Sequence, residues 1–207
     1  MLTANRELMF QARESLKNRW GLAVGGNVIY LILIALIQMV PRIGWIAYLI
    51  LGGPLLLGWS VFFLSFSRNQ DAQIAQLFDG FNRFVNGLVA YLLMTLFIIL
   101  WTLLFIIPGI VAYLSYAQTF FILAENPQLE GRDALRRSKT LMKGNRLKLF
   151  FLFWRFFGWF LLGVLSLGIG FLWIMPYLAT TLGRFYDDLQ LQNKPLSLEP
   201  VLEPIQP

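Results

Sequence analysis

A chain of 207 residues that is 57% hydrophobic and only 14% charged differs from globular proteins, in which about a quarter of the residues are charged. It has a formal net charge of +6 and contains neither cysteine nor histidine. This composition predicts an integral membrane protein, and it excludes disulfide bonds, thiolate chemistry and metal sites built from histidine or cysteine.

Four apolar blocks occupy residues 20–40, 43–67, 88–124 and 149–182. A membrane span needs about 20 apolar residues, so the first two blocks each supply one span. The other two blocks are too long for one span, and we expect them to fold back at Pro108-Gly109 and at Gly168 to Gly170. The blocks therefore predict an all-α integral membrane fold with six transmembrane helices arranged as three hairpins.

The basic residues predict the orientation of these spans. If the chain starts in the cytoplasm and crosses six times, Arg42 is the single basic residue left in the outer loops. Cytoplasmic loops of membrane proteins carry an excess of Lys and Arg. We therefore expect a multi-pass protein of a bacterial cytoplasmic membrane, with both termini in the cytoplasm.

A tripeptide pattern recurs at intervals of about 64 and 63 residues, as expected for a repeated structural unit. Its copies are Asn18-Arg19-Trp20, Asn82-Arg83-Phe84 and Asn145-Arg146-Leu147. Each copy follows a candidate amphipathic helix and precedes a hairpin. We expect one domain over residues 1–188, made of three pseudo-threefold repeats at about 3–68, 70–126 and 130–188, followed by a Pro-rich, disordered cytoplasmic tail at 189–207.

The three amphipathic segments place apolar residues at helical spacing. The apolar positions are Leu8, Ala12 and Leu16; Ile74, Leu77, Phe78, Phe81, Phe84 and Val85; and Leu135, Ser138, Leu141 and Met142. In the third segment the remaining face is basic, which is typical of a helix in the plane of a membrane interface. A solvated linker helix is the alternative interpretation.

A cluster of seven basic residues surrounds this third segment: Arg132, Arg136, Arg137, Lys139, Lys143, Arg146 and Lys148. Each contributes about 1 kcal/mol of attraction to an anionic leaflet, so the cluster is a candidate surface for phospholipid headgroups or a protein partner. Alternatively, the cluster could serve only to keep this loop on the cytoplasmic side of the membrane. A nucleic-acid partner is not expected.

Arg155 is the one ionisable residue well inside an apolar block, and a charge at that position indicates either a functional site or an anchor that reaches the inner surface. Antiparallel pairing of the last two spans would allow a bond to Asp187. Together with Arg155 and Asp187, four polar residues of the spans form a candidate intramembrane site: Gln118, Tyr113, Tyr177 and Thr180. Helix packing and kinking are the alternative explanation.

Three segments of the second half resemble, in their usual order, the signatures of the bacterial integral-membrane family catalogued as domain of unknown function 975. They are LWTLLFIIPGIVAYLSYAQTFFILAENP, ALRRSKTLMKGNRLKLF and FFGWFLLGVLSLGIGFLWIMPYLATTLGRFY. The motif positions are Pro108, Gly109, Ser138, Lys139, Gly144, Phe150, Gly158, Trp159, Pro176, Tyr177 and Tyr186, and the chain departs from the pattern at Arg155. The resemblance implies a six-span bacterial membrane architecture and no particular mechanism.

No catalytic constellation, cofactor motif or metal-ligand spacing occurs, so we do not expect an enzyme. The leading hypothesis is a membrane scaffold or regulatory partner whose basic cytoplasmic face meets the lipid bilayer, anionic phospholipids or another protein. The alternative is a permease or channel for a small or lipid-like molecule. A polar, water-accessible cavity between the repeats would favour the alternative.

Overall fold

The structure, a computed structural model, describes residues 3–193, and all regular elements in that range are helical. The helices are α1 (Asn5–Leu16), α2 (Trp20–Gln38), α3 (Gly44–Ser67), a 3-10 helix (Ile74–Arg83), α4 (Phe84–Leu104), α5 (Ile106–Tyr116), α6 (Thr119–Glu125), α7 (Gly131–Leu141), α8 (Arg146–Leu165) and α9 (Phe171–Asn193).

Five helical stretches of the described residues are long and apolar enough to cross a membrane: Trp20–Gln38, Gly44–Ser67, Ile74–Leu104, Ile106–Glu125 and Arg146–Leu165. The predicted sixth span, α9, is not among them, because its second half carries Arg184, Asp187 and Asp188. Its apolar part covers only residues 171–183, which is shorter than the roughly 20 residues of a typical span.

The chain reverses between α4 and α5, as the sequence predicts, but the break lies at Phe105 rather than at Pro108-Gly109. Phe105 is extended, with φ −160° and ψ 149°. Thr102 packs on Gly109, whose missing side chain allows the contact, and the rings of Phe97 and Tyr116 lie 6.0 Å apart. In each of these two contacts, one residue precedes Phe105 and the other follows it at a similar distance along the chain. Helices α4 and α5 therefore form an antiparallel hairpin. Pro108 lies in the first turn of α5. Backbone N–H groups in a first turn have no intrahelical acceptor, so a proline there costs no hydrogen bond.

The other two reversals coincide with the predicted turns. Arg42, between α2 and α3, has a positive φ of 65°, and Leu167 and Gly168, between α8 and α9, have φ of 53° and 92°. The backbone N–H of Gly170 donates to Ser166 Oγ at 2.8 Å and closes the second turn. Positive φ reverses the chain within a few residues.

The returning helix of each hairpin lies nearer the centre of the molecule than the helix that precedes it. Of the most apolar 18 residues, 67% are buried in α3 against 17% in α2, and 61% in α5–α6 against 11% in the stretch that contains α4. In the third hairpin, 10 of the 23 residues of α9 are buried, against 4 of the 20 residues of α8. The outer helices carry many of the exposed large hydrophobic side chains. An apolar outer surface of this extent is typical of a protein that lies in a membrane.

In two of the three helices that precede the hairpins, the residues predicted to form an apolar face are buried. Leu8, Ala12 and Leu16 are buried in α1, and Leu135, Ser138, Leu141 and Met142 are buried in α7 or directly after it. The middle segment differs, because it is a 3-10 helix whose Gly80 lies against the backbone carbonyl of Pro54. This close approach leaves several of its predicted apolar positions exposed: Ile74, Phe78, Phe81 and Val85.

Helix α9 continues to Asn193, five residues into the segment predicted to be a disordered tail. Leu189 is fully buried in the core, and this packing extends the helix. The rest of that tail, residues 194–207, lies outside the described residues.

Candidate functional site

Helix α7 is held on the hairpin α4–α5 by its buried face. Ser138 Oγ donates to the backbone carbonyl of Ser115 at 2.9 Å, and both residues are buried. At its start, Gly131 lies against the backbone of Asn86 and Ala90 in α4, where a side chain would not fit. These contacts fix the rotation of α7 about its axis, and with it the direction of its basic face.

The basic face of α7 borders a cavity of about 330 Å³, which we call the α7 cleft. Arg132, Arg136 and Lys139 are spaced at i, i+4 and i+7, so they share one side of the helix. The remaining walls are apolar or aromatic and come from α4, α5 and α7: Leu93, Phe97, Tyr116 and Leu135. Three cations therefore stand directly beside an apolar surface.

A second cavity of about 150 Å³, the α5 cleft, is lined by Lys139 and Arg146 together with Trp101, Pro108, Val111, Ala112, Ser115 and Tyr116. Lys139 and Tyr116 border both clefts, so the two cavities adjoin. Arg146, at the start of α8, belongs to the predicted basic surface, but helical periodicity alone predicts only the shared face of α7 and not this adjacency.

The charges of the two clefts are only partly compensated by the protein. Arg136 Nη1 lies 3.5 Å from Asp133 Oδ1, and since both side chains are at least half exposed, this pair contributes little. Arg132, Lys139 and Arg146 have no salt bridge to any described residue. The site is thus positively charged and attracts an anion.

The other three residues of the predicted basic surface lie elsewhere. Arg137 lines a different, open cavity beside Glu125 and Asp187. Lys148 forms a salt bridge with Asp188 at 2.8 Å, and Lys143 is exposed after the end of α7. The structure therefore brings together Arg132, Arg136, Lys139 and Arg146, and it separates them from Arg137, Lys143 and Lys148.

An ion cluster that the sequence analysis missed joins the ends of the three returning helices. Arg68, after α3, donates to Glu125 Oε1 of α6 at 2.6 Å and to Asp187 Oδ1 of α9 at 2.8 and 3.0 Å. Tyr186 donates to the other oxygen of Glu125. Burial alone would lower the pKa of Arg68, but the bonds to Asp187 and Glu125 outweigh it and raise that pKa. The sequence signal for this cluster is that each of the three charges lies close to the end of an apolar block.

A second ion pair ties the N-terminal segment to the last hairpin. Asp188 accepts from Lys148 Nζ at 2.8 Å and from Thr3 Oγ1 at 2.6 Å. Burial alone would raise the pKa of Asp188, but the hydrogen bonds from Lys148 and Thr3 outweigh it and lower that pKa.

The arginines of the first two Asn-Arg pairs make similar bonds. Arg19 donates to the backbone carbonyl of Gln70, three residues after α3, at 2.6 Å, and Arg83 donates to that of Leu123 in the last turn of α6. In the second case the acceptor lies at a helix C-terminus, where the helix dipole is negative.

The six residues of the candidate intramembrane site do not meet in one cavity. Asp187 pairs with Arg68 and not with Arg155, which is exposed on α8 beside the N-terminal segment. Tyr177 and Thr180 donate to backbone carbonyls of Met9 and Pro176, at 3.1 and 2.9 Å.

The remaining two members are also apart. Gln118 is fully buried, and neither of its side-chain polar atoms has a partner. Tyr113, which is half exposed, lines a partly open cavity of about 240 Å³ between the three hairpins, whose other walls are mainly apolar and aromatic. The cavity between the repeats is therefore an apolar one. Within residues 3–193, His, Cys, Asp and Glu form no group of three or more that could hold a metal ion.

The positions that carry the family resemblance have structural explanations in several cases. Gly144 adopts a positive φ of 85° between α7 and α8, and Trp159 packs edge-on against Tyr177 with ring centroids 6.3 Å apart. Pro108 and Lys139 both line the α5 cleft, and Ser138 anchors α7. Three of these positions thus surround the candidate site.

A family model described as "Protein of unknown function (DUF975)" matches the chain over residues 1–117 and 105–193. No curated protein and no solved structure matches it. The function must therefore be inferred from the geometry of this chain.

Proposed function

We propose that this chain, which belongs to the DUF975 family of proteins of unknown function, is a non-catalytic, six-span protein of a bacterial cytoplasmic membrane that holds anionic phospholipid at the α7 cleft. In this role it serves as a membrane scaffold or regulatory partner, and its lipid-bound face is the surface that it offers to other proteins.

The distribution of charge supports the proposed topology. Four bonded cations lie at the end of the bundle where the returning helices finish: Arg19, Arg68, Arg83 and Lys148. Among them, Arg68 links the hairpins through Glu125 and Asp187. The turns at the opposite end carry Arg42. By the positive-inside rule, this asymmetry supports a cytoplasmic location for the first end.

The sixth span in this proposal is α9, whose apolar part is short. A short span is accommodated by local thinning of the bilayer and by charged side chains that reach the interface. Arg155, about 10 Å along α8 from Lys148, is exposed on the neighbouring helix. A thinner bilayer at α8 and α9 would bring its guanidinium close to the lipid headgroups.

The observation that carries the proposal is the α7 cleft, in which three cations border an apolar wall. Arg and Lys bind phosphate oxygens through charge-assisted hydrogen bonds, and Phe97 and Leu93 offer a surface to the acyl chains. At about 1 kcal/mol for each cation, the three residues together contribute about 3 kcal/mol, which corresponds to about a hundredfold in affinity.

The proposal is tested by measuring how many phosphatidylglycerol molecules the purified protein retains against phosphatidylcholine, by native mass spectrometry from lipid nanodiscs. The test variant removes the charge of the cleft: Arg132→Gln, Arg136→Gln and Lys139→Gln combined. We expect about a hundredfold weaker retention of phosphatidylglycerol, and unchanged retention of phosphatidylcholine.

A control variant removes three exposed charges at the same end of the bundle, two from α1 and one directly after it: Arg6→Gln, Arg13→Gln and Lys17→Gln combined. This variant is expected to retain phosphatidylglycerol within about twofold of the parent chain, because α1 borders neither cleft. Equal losses in both variants would show that only net charge matters and would refute the site.

The cavity between the hairpins lacks the polar lining expected of a pathway for a polar solute, but its apolar walls suggest a second candidate function, a permease for a lipid-like molecule. Its walls include Leu56, Met94, Phe120 and Leu178 from four different helices, so they suit an apolar chain rather than an ion. Since the chain has no native cysteine, Ala117→Cys places one thiol in the cavity wall. Labelling by a membrane-permeant but not by a charged maleimide would support an apolar pathway, whereas protection from both would count against transport.

A further inference from the structure

The α7 cleft and the α5 cleft share Tyr116 and Lys139, and this adjacency places four cations along one continuous groove. Arg132 and Arg136 border one part, Arg146 borders the other, and Lys139 stands between them. Asp133 is the one carboxylate that pairs with any of these four among the described residues, and that pair is exposed. After this pair is subtracted, three positive charges remain.

One phosphate group cannot satisfy both parts of this groove. A phosphodiester carries a single negative charge, and in the α7 cleft it would meet three donors and leave Arg146 unpaired. Arg146 borders the α5 cleft and pairs with no carboxylate among the described residues. A second anion beside the first would compensate this charge.

The walls below the cations are apolar in both clefts. Phe97 and Trp101 lie one helical turn apart on α4, and Val111 faces the same region from α5. All three side chains are more than a third exposed on the outside of the bundle. They form a surface on which acyl chains can lie directly beneath the cationic groove.

We infer that the two clefts form one site for a phospholipid that carries two phosphate groups and several acyl chains. One phosphate lies among Arg132, Arg136 and Lys139, and the other lies between Lys139 and Arg146. The linked second phosphate binds at a high effective concentration once the first is held, so the two-phosphate lipid binds more tightly than a one-phosphate lipid. This inference rests on the proposed function and names the lipid class of the same site.

The test compares cardiolipin, which has two phosphates, with phosphatidylglycerol, which has one, by native mass spectrometry of the full chain at equal phosphate concentration. We expect cardiolipin to bind at least about fivefold more tightly, the contribution of one additional cation. Arg146→Gln is expected to abolish this preference and to leave phosphatidylglycerol binding unchanged. Lys139→Gln is expected to weaken both lipids, and Lys143→Gln, exposed and outside both clefts, is expected to change neither.

Two further variants keep the test decisive if Arg146→Gln does not fold. Arg146→Lys keeps the charge and is expected to keep the preference, and Val111→Trp fills the α5 cleft and is expected to remove it. Inorganic pyrophosphate is expected not to displace cardiolipin, because it has no acyl chains. Displacement by pyrophosphate would overturn the inference in favour of a site for free phosphate.

The outcomes separate this inference from the proposed function. If both lipids bind equally per phosphate and both depend on Lys139, the two-phosphate inference is wrong and the proposed function stands. If Arg146→Gln keeps the cardiolipin preference, the assignment of the second phosphate is wrong. If neither lipid binds more tightly than phosphatidylcholine, both are wrong.

Discussion

Replacement of Arg68 by Met tests the ion cluster that joins the three returning helices. Arg68 makes three short contacts, at 2.6 Å to Glu125 and at 2.8 and 3.0 Å to Asp187. Met keeps much of the length of the side chain but removes all of the charge. The two carboxylates then face each other without the cation, so the ends of α6 and α9 lose their link to α3.

The expected loss follows from the exposure of the cluster. Removal of one partner from a fully buried ion pair costs about 3 to 5 kcal/mol, because a buried charge is left uncompensated. The side chains of Arg68, Glu125 and Asp187 are 28%, 30% and 23% exposed, so water screens part of that cost. We therefore expect Arg68→Met to lower the free energy of unfolding by about 2 to 3 kcal/mol.

The change is measured as the midpoint of thermal unfolding of the detergent-solubilised protein. For a chain of this length, 2 to 3 kcal/mol corresponds to a decrease of about 5 to 10 °C. Combined with Asp187→Asn, Arg68→Met is expected to cost less than the sum of the two single variants, with a coupling of at least about 1 kcal/mol. Arg6→Met, on the exposed face of α1, is the control and should shift the midpoint by less than about 1 °C. If the effects of the two single variants simply add, or if the midpoint of Arg68→Met equals that of the control, the ion cluster does not contribute to stability and the reasoning is refuted.

Three further predictions concern packing and charge at other positions. Gly80→Ala is expected to destabilise the protein by about 1 to 3 kcal/mol in chemical denaturation, because the new Cβ would lie 2.8 Å from a backbone carbon of α3. Gly158→Ala, with open space around it in α8, is expected to be neutral or to stabilise by up to about 1 kcal/mol, and equal destabilisation by both would contradict the packing argument. The lowered pKa of Asp188 predicts that its contribution to stability is present above the ordinary aspartate pKa of about 4 and is lost as the pH falls through the lower folded value. Unfolding midpoints measured across that range should lose this dependence in Asp188→Asn. Arg155→Leu is expected to change the unfolding midpoint little, and adding Asp187→Asn should not raise that midpoint, since the two residues are not paired. A higher midpoint in the double variant than in Arg155→Leu alone would instead support the pairing predicted from the sequence.

Chain reversal could be predicted from the sequence because helix length limits what one span can contain. The exact pivot could not be predicted, because it depends on which residues of the two helices meet. Gly109 is needed where Thr102 packs against it, and this contact moves the break to Phe105. A glycine at a close contact and a glycine in a turn look the same in a sequence.

The candidate site divides in a similar way. Helical spacing predicts that Arg132, Arg136 and Lys139 share a face, because they belong to one helix. Arg146 joins them only through the placement of α8 beside α5, which no local pattern encodes. The ion cluster of Arg68 likewise depends on the convergence of three helices that are far apart in the chain.

The bonds made by the three arginines of the recurring Asn-Arg pair differ, and this difference leaves one of them available to the groove. Arg19 and Arg83 donate to backbone carbonyls, those of Gln70 and Leu123. Asp188 of α9 binds Lys148 rather than Arg146. Arg146 therefore lines the α5 cleft without a described carboxylate partner. This unpaired cation is the one to which we assign the second phosphate, so its charge decides the preference for cardiolipin.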